Sequence, residues 1–307
     1  MDVVCLGILV ADVIARPVDD MPPRGALGFV DEIRVHGGGC ALNTASALVS
    51  LGLDAAVVGK VGKDAFGDFL LQVLDERGVV REAVLRDGSV ATSATVALVD
   101  SRGERTFLHV PAANDSLRED ELDPNVLYAG RALHLAGALV MERLDGEPFA
   151  RIAAEARRRG VLTSLATVWD PTGRWERLEP CLEHLDLAIA SLVEGRALSA
   201  HHEPPAVADW IQGRGAREVA LTIGERGCYV AGHDFEGYVP ALDVKAVDGT
   251  GAGDAFAAGV LYGKLAGWGL QRSARLGCAA GAAAAMTVGA TLGGRGIGDV
   301  VALAGGR

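Results

Sequence analysis

Short β-branched runs alternate with amphipathic helical patterns along most of the 307-residue chain, and few folds accept that rhythm. The spacing predicts strands over 2–10, 55–61, 94–99, 105–110, 132–136, 161–165, 186–190, 217–223 and 227–231. It predicts helices over 39–51, 66–77, 147–160, 193–200, 205–213, 253–266 and 271–288. Strands separated by helices build crossover units, so the expected fold is α/β, with a mostly parallel sheet covered on both faces. Ligands of such sheets bind at the carboxyl ends of the strands, where the loops gather. One domain spanning 1–307 accommodates all of it.

Two segments break the rhythm. Residues 13–36 hold Pro17, Pro22, Pro23 and Gly25, followed by the alternating run FVDEIRVHGG. Residues 91–110 read as a hairpin turning at Asp100-Ser101-Arg102-Gly103. Neither has a helix to cover it. Both either form a small separate sheet, serving as a lid or a dimer surface, or extend the edge of the main sheet.

Charge and cysteine usage remove several function classes. A net charge of -11 argues against a nucleic-acid partner, which needs a basic face to displace phosphate counterions. The five cysteines lie far apart without a Cys-x-x-Cys pair, the pattern of reduced thiols in a cytoplasmic protein. The start, MDVVCLGILVADVIA, lacks a basic leader and carries Asp2 and Asp12, so it reads as a buried strand. The Ala/Gly-rich stretch near 277–290 is too weakly apolar for a bilayer and reads as a packed core helix. Neither a membrane nor a nucleic acid is expected as a partner.

The most informative stretch is VKAVDGTGAGDAFAAGVLYGKLA, residues 244–266. A strand-like run to Val247 is followed by small residues and then by a helical pattern carrying Phe256, Val260, Leu261 and Leu265. Gly251, Ala252 and Gly253 let the backbone bend and bring N–H groups to a ligand, and the helix start adds the positive end of its dipole. Together they form an anion site suited to charge developing on a transferring phosphoryl group. Asp254 is positioned to accept the proton of an attacking hydroxyl, with its pKa expected to be held low by the helix N-terminus. An isolated Asp at a helix start most often only caps the helix; the glycines before this one shift the reading to catalysis. No G-x-x-x-x-G-K-[ST] occurs, and no G-x-G-x-x-G follows the first strand, so neither a P-loop enzyme nor a nicotinamide oxidoreductase is indicated.

Here the sequence resembles the ribokinase-like (PfkB) carbohydrate kinase family. Its C-terminal signature, D-x-T-G-A-G-D-x-F, is matched from Asp248 through Phe256, and its N-terminal Gly-Gly…Asn signature is matched by GGGCALNTASALVSLG. GKVGKDAFG (59–67), GERT (103–106) and LTIGERG (221–227) also fit, so the resemblance covers nearly the whole chain. It implies a three-layer ribokinase-like fold with a small β lid, and ATP and Mg²⁺ as cofactors. By position, Asp254 matches the catalytic base, and Gly251, Ala252 and Gly253 the anion hole. Asp12 matches the acid that grips substrate hydroxyls, with Gly38, Gly39 and Asn43 in the substrate loop. Thr222 and Gly224 match positions beside the nucleotide, with Ser191, and Glu194 an acid of the magnesium–phosphate network. Some members bind a monovalent cation such as K⁺ beside the anion hole, and Asp248 and Thr250 are the nearest candidates. Three positions depart from the family pattern: Ser191 replaces a frequent Asn, Ala166 a frequent Asp, and Gly249 a frequent Thr.

The leading expectation is an ATP-dependent kinase acting on a hydroxyl of a sugar or sugar-like molecule. A nucleoside kinase of the same fold is the nearest alternative. A nucleobase needs flat partners, and the lid segments offer only Phe29 and Phe107, with His36 and His109, which favours a simple sugar. A non-catalytic sensor would have lost the base or the anion hole, and both are present. An exposed lid edge favours a homodimer, because unpaired strands tend to find partners.

Overall fold

A computed structural model describes residues 1–305. Thirteen strands form two sheets among these residues. They are β1 (Val3–Gly7), β2 (Val10–Arg16), β3 (Glu32–Gly38), β4 (Ala55–Gly62), β5 (Val84–Asp87), β6 (Ala94–Val99), β7 (Arg105–Val110), β8 (Ala132–Ala138), β9 (Leu162–Thr167), β10 (Leu187–Ser191), β11 (Glu218–Thr222), β12 (Cys228–Ala231) and β13 (Glu236–Val239). The large sheet has nine strands in the order β13-β12-β11-β10-β9-β8-β1-β4-β5. From β5 to β11 every pairing is parallel, while β12 is antiparallel to both of its neighbours.

Strand β1 shows why both faces of this sheet are covered. Val4 and Leu6 point into one apolar core, Val3 and Cys5 into another, and all four are fully buried. The first core is closed by Phe149, Ile152 and Ala153 of the helix Glu147–Arg158 and by Val207 and Ile211 of the helix Pro204–Gln212. The second is closed by four helices, named α1 (Cys40–Ser50), α2 (Ala65–Glu76), α3 (Ala252–Leu265) and α4 (Leu270–Ala285) for the role they play below. Each leucine buried in this way contributes about 2 kcal/mol. The result is a three-layer α/β/α fold with a mostly parallel centre, as the alternation predicts.

The two segments that break the rhythm lie in a separate four-stranded sheet of order β3-β2-β6-β7. Strand pairing arranges its side chains in rows. On the face turned to the large domain, His36, Asp12, Thr95 and His109 form the first row; Arg34, Ile14, Ala97 and Phe107 the second; and Glu32, Arg16, Val99 and Arg105 the third. Ile33, Val35, Leu108 and Val110 lie on the opposite, solvent-facing side.

Two expectations need correction. The apolar run 2–10 is not one strand: β1 stops at Gly7, and the chain enters the other sheet at Val10. Asn114 fixes the step, accepting from Leu9 N–H and donating to Leu9 C=O, both at 3.1 Å. The run before the glycine loop is not a strand either. The N–H groups of Val247 and Asp248 both donate to Ala285 C=O at the end of α4, at 2.7 and 3.0 Å.

Candidate active site

The N-terminus of α3 stands at the carboxyl-end side of the large sheet, opposite that of α1. Gly251 precedes α3 with φ +75°, and a β-carbon there would lie 2.5 Å from Ala290 Cβ, so only glycine fits. Ala252 N–H closes a turn to Gly249 C=O at 3.2 Å. The next two amides, of Gly253 and Asp254, meet no protein acceptor among the described residues, and a β-carbon at Gly253 would point into open space. These are the free donors of a helix start, presented to whatever anion occupies the loop.

Asp254 is met by the N-terminal signature. Asn43 Nδ2, from the second turn of α1, donates to Asp254 Oδ2 at 2.8 Å across 211 residues of chain. Asn43 is buried, and its Oδ1 has no hydrogen-bond partner. Burial raises the Asp254 pKa to about 6; hydrogen bonds from Asn43 and Cys40 work against that shift, and the charge of Glu194 adds to it. The low pKa expected from the helix dipole is therefore not found. Loss of water around the carboxylate outweighs the two side-chain donors.

Gly38 and Gly39 have steric reasons of their own. A β-carbon at Gly38 would lie 2.0 Å from Asp12 Oδ2, so the space its missing side chain leaves belongs to that carboxylate. Gly39 starts α1 at φ +93°, with Ile8 C=O 2.4 Å from where its β-carbon would stand. Burial also raises the Asp12 pKa to about 6, with Thr95 hydrogen-bonding against the shift. Asp12 opens into a cleft of about 330 Å³ between the rowed face of the small sheet and Val247, Asp248, Thr250 and Val288.

Ser191, Thr222 and Glu194 gather at the carboxyl ends of β10 and β11. Ser191 and Thr222 are register partners in adjacent strands. Ser191 Oγ accepts from Glu194 N–H at 3.2 Å, and Glu194 Oε2 accepts from Ser191 N–H at 2.8 Å, a reciprocal cap on the helix Leu192–Ser199. Thr167, at the end of β9, donates to the same Oε2 at 2.8 Å. Glu194 Oε1 has no protein donor among the described residues. Gly224 opens the turn after β11 with φ +57° and nothing within 4 Å of a β-carbon. No three or more His, Cys, Asp or Glu residues cluster as a metal site among the described residues. A divalent ion fits here with phosphate oxygens and water as most of its ligands and Glu194 Oε1 as the free protein oxygen.

Asp248 and Thr250 face a different partner. Arg105, from the third row of the small sheet, donates to Asp248 Oδ1 and to Thr250 Oγ1. Asp248 also accepts from Thr250 N–H at 2.9 Å and from Gly289 N–H at 3.1 Å. Although burial works to raise its pKa, hydrogen bonds from Thr250, Arg105 and Gly289 hold it at about 2.

Sequence reasoning missed Arg105, Thr167 and Asn114. Arg105 sat inside the quoted GERT run, whose single arginine in a hairpin was the available signal. The 59–67 run has a structural use: Asp64 caps α2 by accepting from Gly67 N–H at 2.8 Å and accepts from Thr92 N–H at 2.8 Å, tying β4 to the base of the small sheet.

A family model, that of the pfkB family carbohydrate kinases, matches residues 1–294. A fructokinase from Klebsiella pneumoniae is 33% identical over 243 residues, covering 75% of this chain and 77% of that relative. Among solved structures, a ribokinase from Thermotoga maritima superimposes with TM-score 0.84 at 22% identity, over 99% of each chain. A fructokinase with bound ATP from Xylella fastidiosa reaches 0.82 at 23% identity, over 98% of this chain and 97% of that one. With both signatures meeting in one hydrogen bond and the family model spanning nearly the whole length, the chain belongs to the pfkB carbohydrate kinase family, whose members transfer a phosphoryl group to a substrate hydroxyl.

Proposed function

We propose that this kinase phosphorylates a hydroxyl of a simple sugar, with Asp254 as catalytic base and the loop Gly251-Ala252-Gly253 as the anion hole. There the Gly251 and Gly253 amides, with that of Asp254, have no protein acceptor among the described residues, and Ala252 N–H is taken by Gly249 C=O. The observation that carries the reading is the Asn43–Asp254 contact at 2.8 Å, made where two free amides begin α3. A carboxylate beside unpaired N–H donors can relieve an acceptor hydroxyl of its proton while the donors meet the charge growing on the phosphoryl oxygens. Asn43 gives one of its two N–H donors to Asp254 and so fixes the carboxylate at the start of α3. Asp12, open to the cleft, accepts from vicinal hydroxyls. The side chains at the ends of β10 and β11, Ser191, Thr222 and Glu194, with Gly224, border the nucleotide. Mg²⁺ supplies charge neutralisation when bound, with Glu194 as its protein-side neighbour.

Among the described residues Phe107 is the one aromatic carbocycle lining the cleft, and the other flat groups there, His36, Arg16, Arg34 and Arg105, are polar, which favours a hydroxyl-rich sugar over a nucleobase. The fructokinase relative makes fructose the first substrate to try. No helix among the described residues is long and apolar enough to cross a membrane, and all five thiols are unpaired, which supports a cytoplasmic setting. A second copy of the chain is the proposed occupant of the apolar outer face of the small sheet. ADP release measured with fructose, ribose, a 2-keto-3-deoxy sugar, inositol and adenosine tests the reading. Turnover with a sugar and none with adenosine is expected; preference for adenosine would make it a nucleoside kinase, and binding without ADP release a sensor.

A further inference from the structure

The resemblance brings with it a monovalent cation beside the anion hole, and the residues nearest that place do not fit one. An alkali cation needs several oxygens with free lone pairs. Asp248 Oδ1 accepts from Thr250 N–H and Arg105, Asp248 Oδ2 accepts from Gly289 N–H, and Thr250 Oγ1 accepts from Arg105. Every side-chain oxygen of the pair therefore already faces an N–H donor, and one of those donors carries a full positive charge.

We propose that Arg105 replaces the monovalent cation in this kinase, its guanidinium supplying from the small sheet the positive charge that the loop before α3 requires at Asp248. The proposal deepens the kinase reading above and rests on it. Asp248 is the buried member of the pair, its side chain 10% exposed against 32% for Arg105. A carboxylate so placed at the base of a loop that must hold Gly251 in the left-handed region needs a fixed counter-charge. Arg105 is suited to that because its planar fork reaches two acceptors at once, Asp248 Oδ1 and Thr250 Oγ1. The two kinds of cation differ in one respect that matters. A dissolved ion arrives independently of conformation, whereas Arg105 arrives with β7. The counter-charge is then present only when the small sheet lies over the cleft, so closing the sheet and ordering the phosphate loop become one event.

The test compares the intact enzyme in potassium, sodium and N-methyl-D-glucamine chlorides at one ionic strength, with Mg²⁺ and fructose saturating and ATP varied up to saturation. Wild-type turnover is expected to stay within about twofold across the three salts, as general screening alone would leave it. Its thermal midpoint in the absence of substrates should be equal in potassium and N-methyl-D-glucamine. Arg105→Ala should lose about tenfold or more in kcat/KM for ATP, part of it restored by guanidinium or K⁺. Arg105→Lys should keep more activity than Arg105→Ala and remain indifferent to the salt. Severalfold activation of wild type by K⁺, a thermal midpoint raised by K⁺ alone, or an Arg105→Ala enzyme as active as wild type in all three salts would each overturn the proposal. The thermal comparison decides it even if Arg105→Ala does not fold. Absence of ADP release in every salt is a different failure, that of the kinase reading itself.

Discussion

Asp254 shows two opposing effects acting on one carboxyl group. A helix start and two side-chain donors favour its ionised form, burial beside Glu194 favours the neutral one, and burial prevails, leaving the pKa at about 6. A base must be ionised to accept a proton, so kcat/KM should fall below about pH 6, roughly tenfold per unit. An unperturbed carboxylate would put that limb near pH 4. Asn43→Ala removes a donor that holds the pKa down, so the limb should move to higher pH while activity at its plateau declines. A pH profile of kcat/KM measured on both enzymes checks this, and an unmoved limb in the variant would detach Asn43 from the base. The same shift bears on stability, with its sign fixed by linkage. Asp12, Asp254 and Asp145, the last buried after β8 and accepting from Leu139 and Met141 N–H, all have folded pKa values raised from 3.8 to about 6. Their contribution to stability is therefore greatest below about 3.8 and is lost as pH rises through 6.

At the scale of the element, much of the fold is legible because periodicity is a local property. Predicted helices 253–266 and 66–77 are found at Ala252–Leu265 and Ala65–Glu76, each offset by one residue. What was not legible depends on partners distant in sequence. Residues 2–10 are apolar throughout, and no period marks where the chain leaves one sheet for the other, because Asn114 sets that step from 105 residues away. Strands β5 and β13 have four residues each, too few to show a repeat. Val244 to Val247 looks like a strand by composition, yet Ala285 C=O takes the N–H groups that a sheet would need. The site divides in the same way. Asp254 and Asn43 sit in glycine signatures whose steric cause is local, so the sequence marks them. Arg105 is marked only as a charge on an exposed strand, and its meaning comes from Asp248, 143 residues later.

Taken whole, the molecule has an α/β body and a small sheet with two unlike faces. The inner face carries Asp12, Arg34, His36 and Arg105 toward the cleft, and the outer face exposes Ile33 and Leu108 at 66% and 63%. An apolar sheet surface of this kind is costly to leave in water, and the second copy proposed above would cover it symmetrically with the same surface. Sedimentation at micromolar concentration should give a dimer for wild type and a monomer for the Ile33→Asp, Leu108→Asp double variant; a wild-type monomer would contradict that assignment. The body and the small sheet meet at the loop before α3, where Arg105 touches Asp248, six residues before the carboxylate proposed as the base. Its role is tested most directly by Asp254→Asn, assayed for steady-state turnover and for ATP binding in parallel. Turnover should fall about a hundred- to ten-thousandfold with ATP affinity nearly unchanged. A variant that turns over as fast as wild type would remove Asp254 from the reaction.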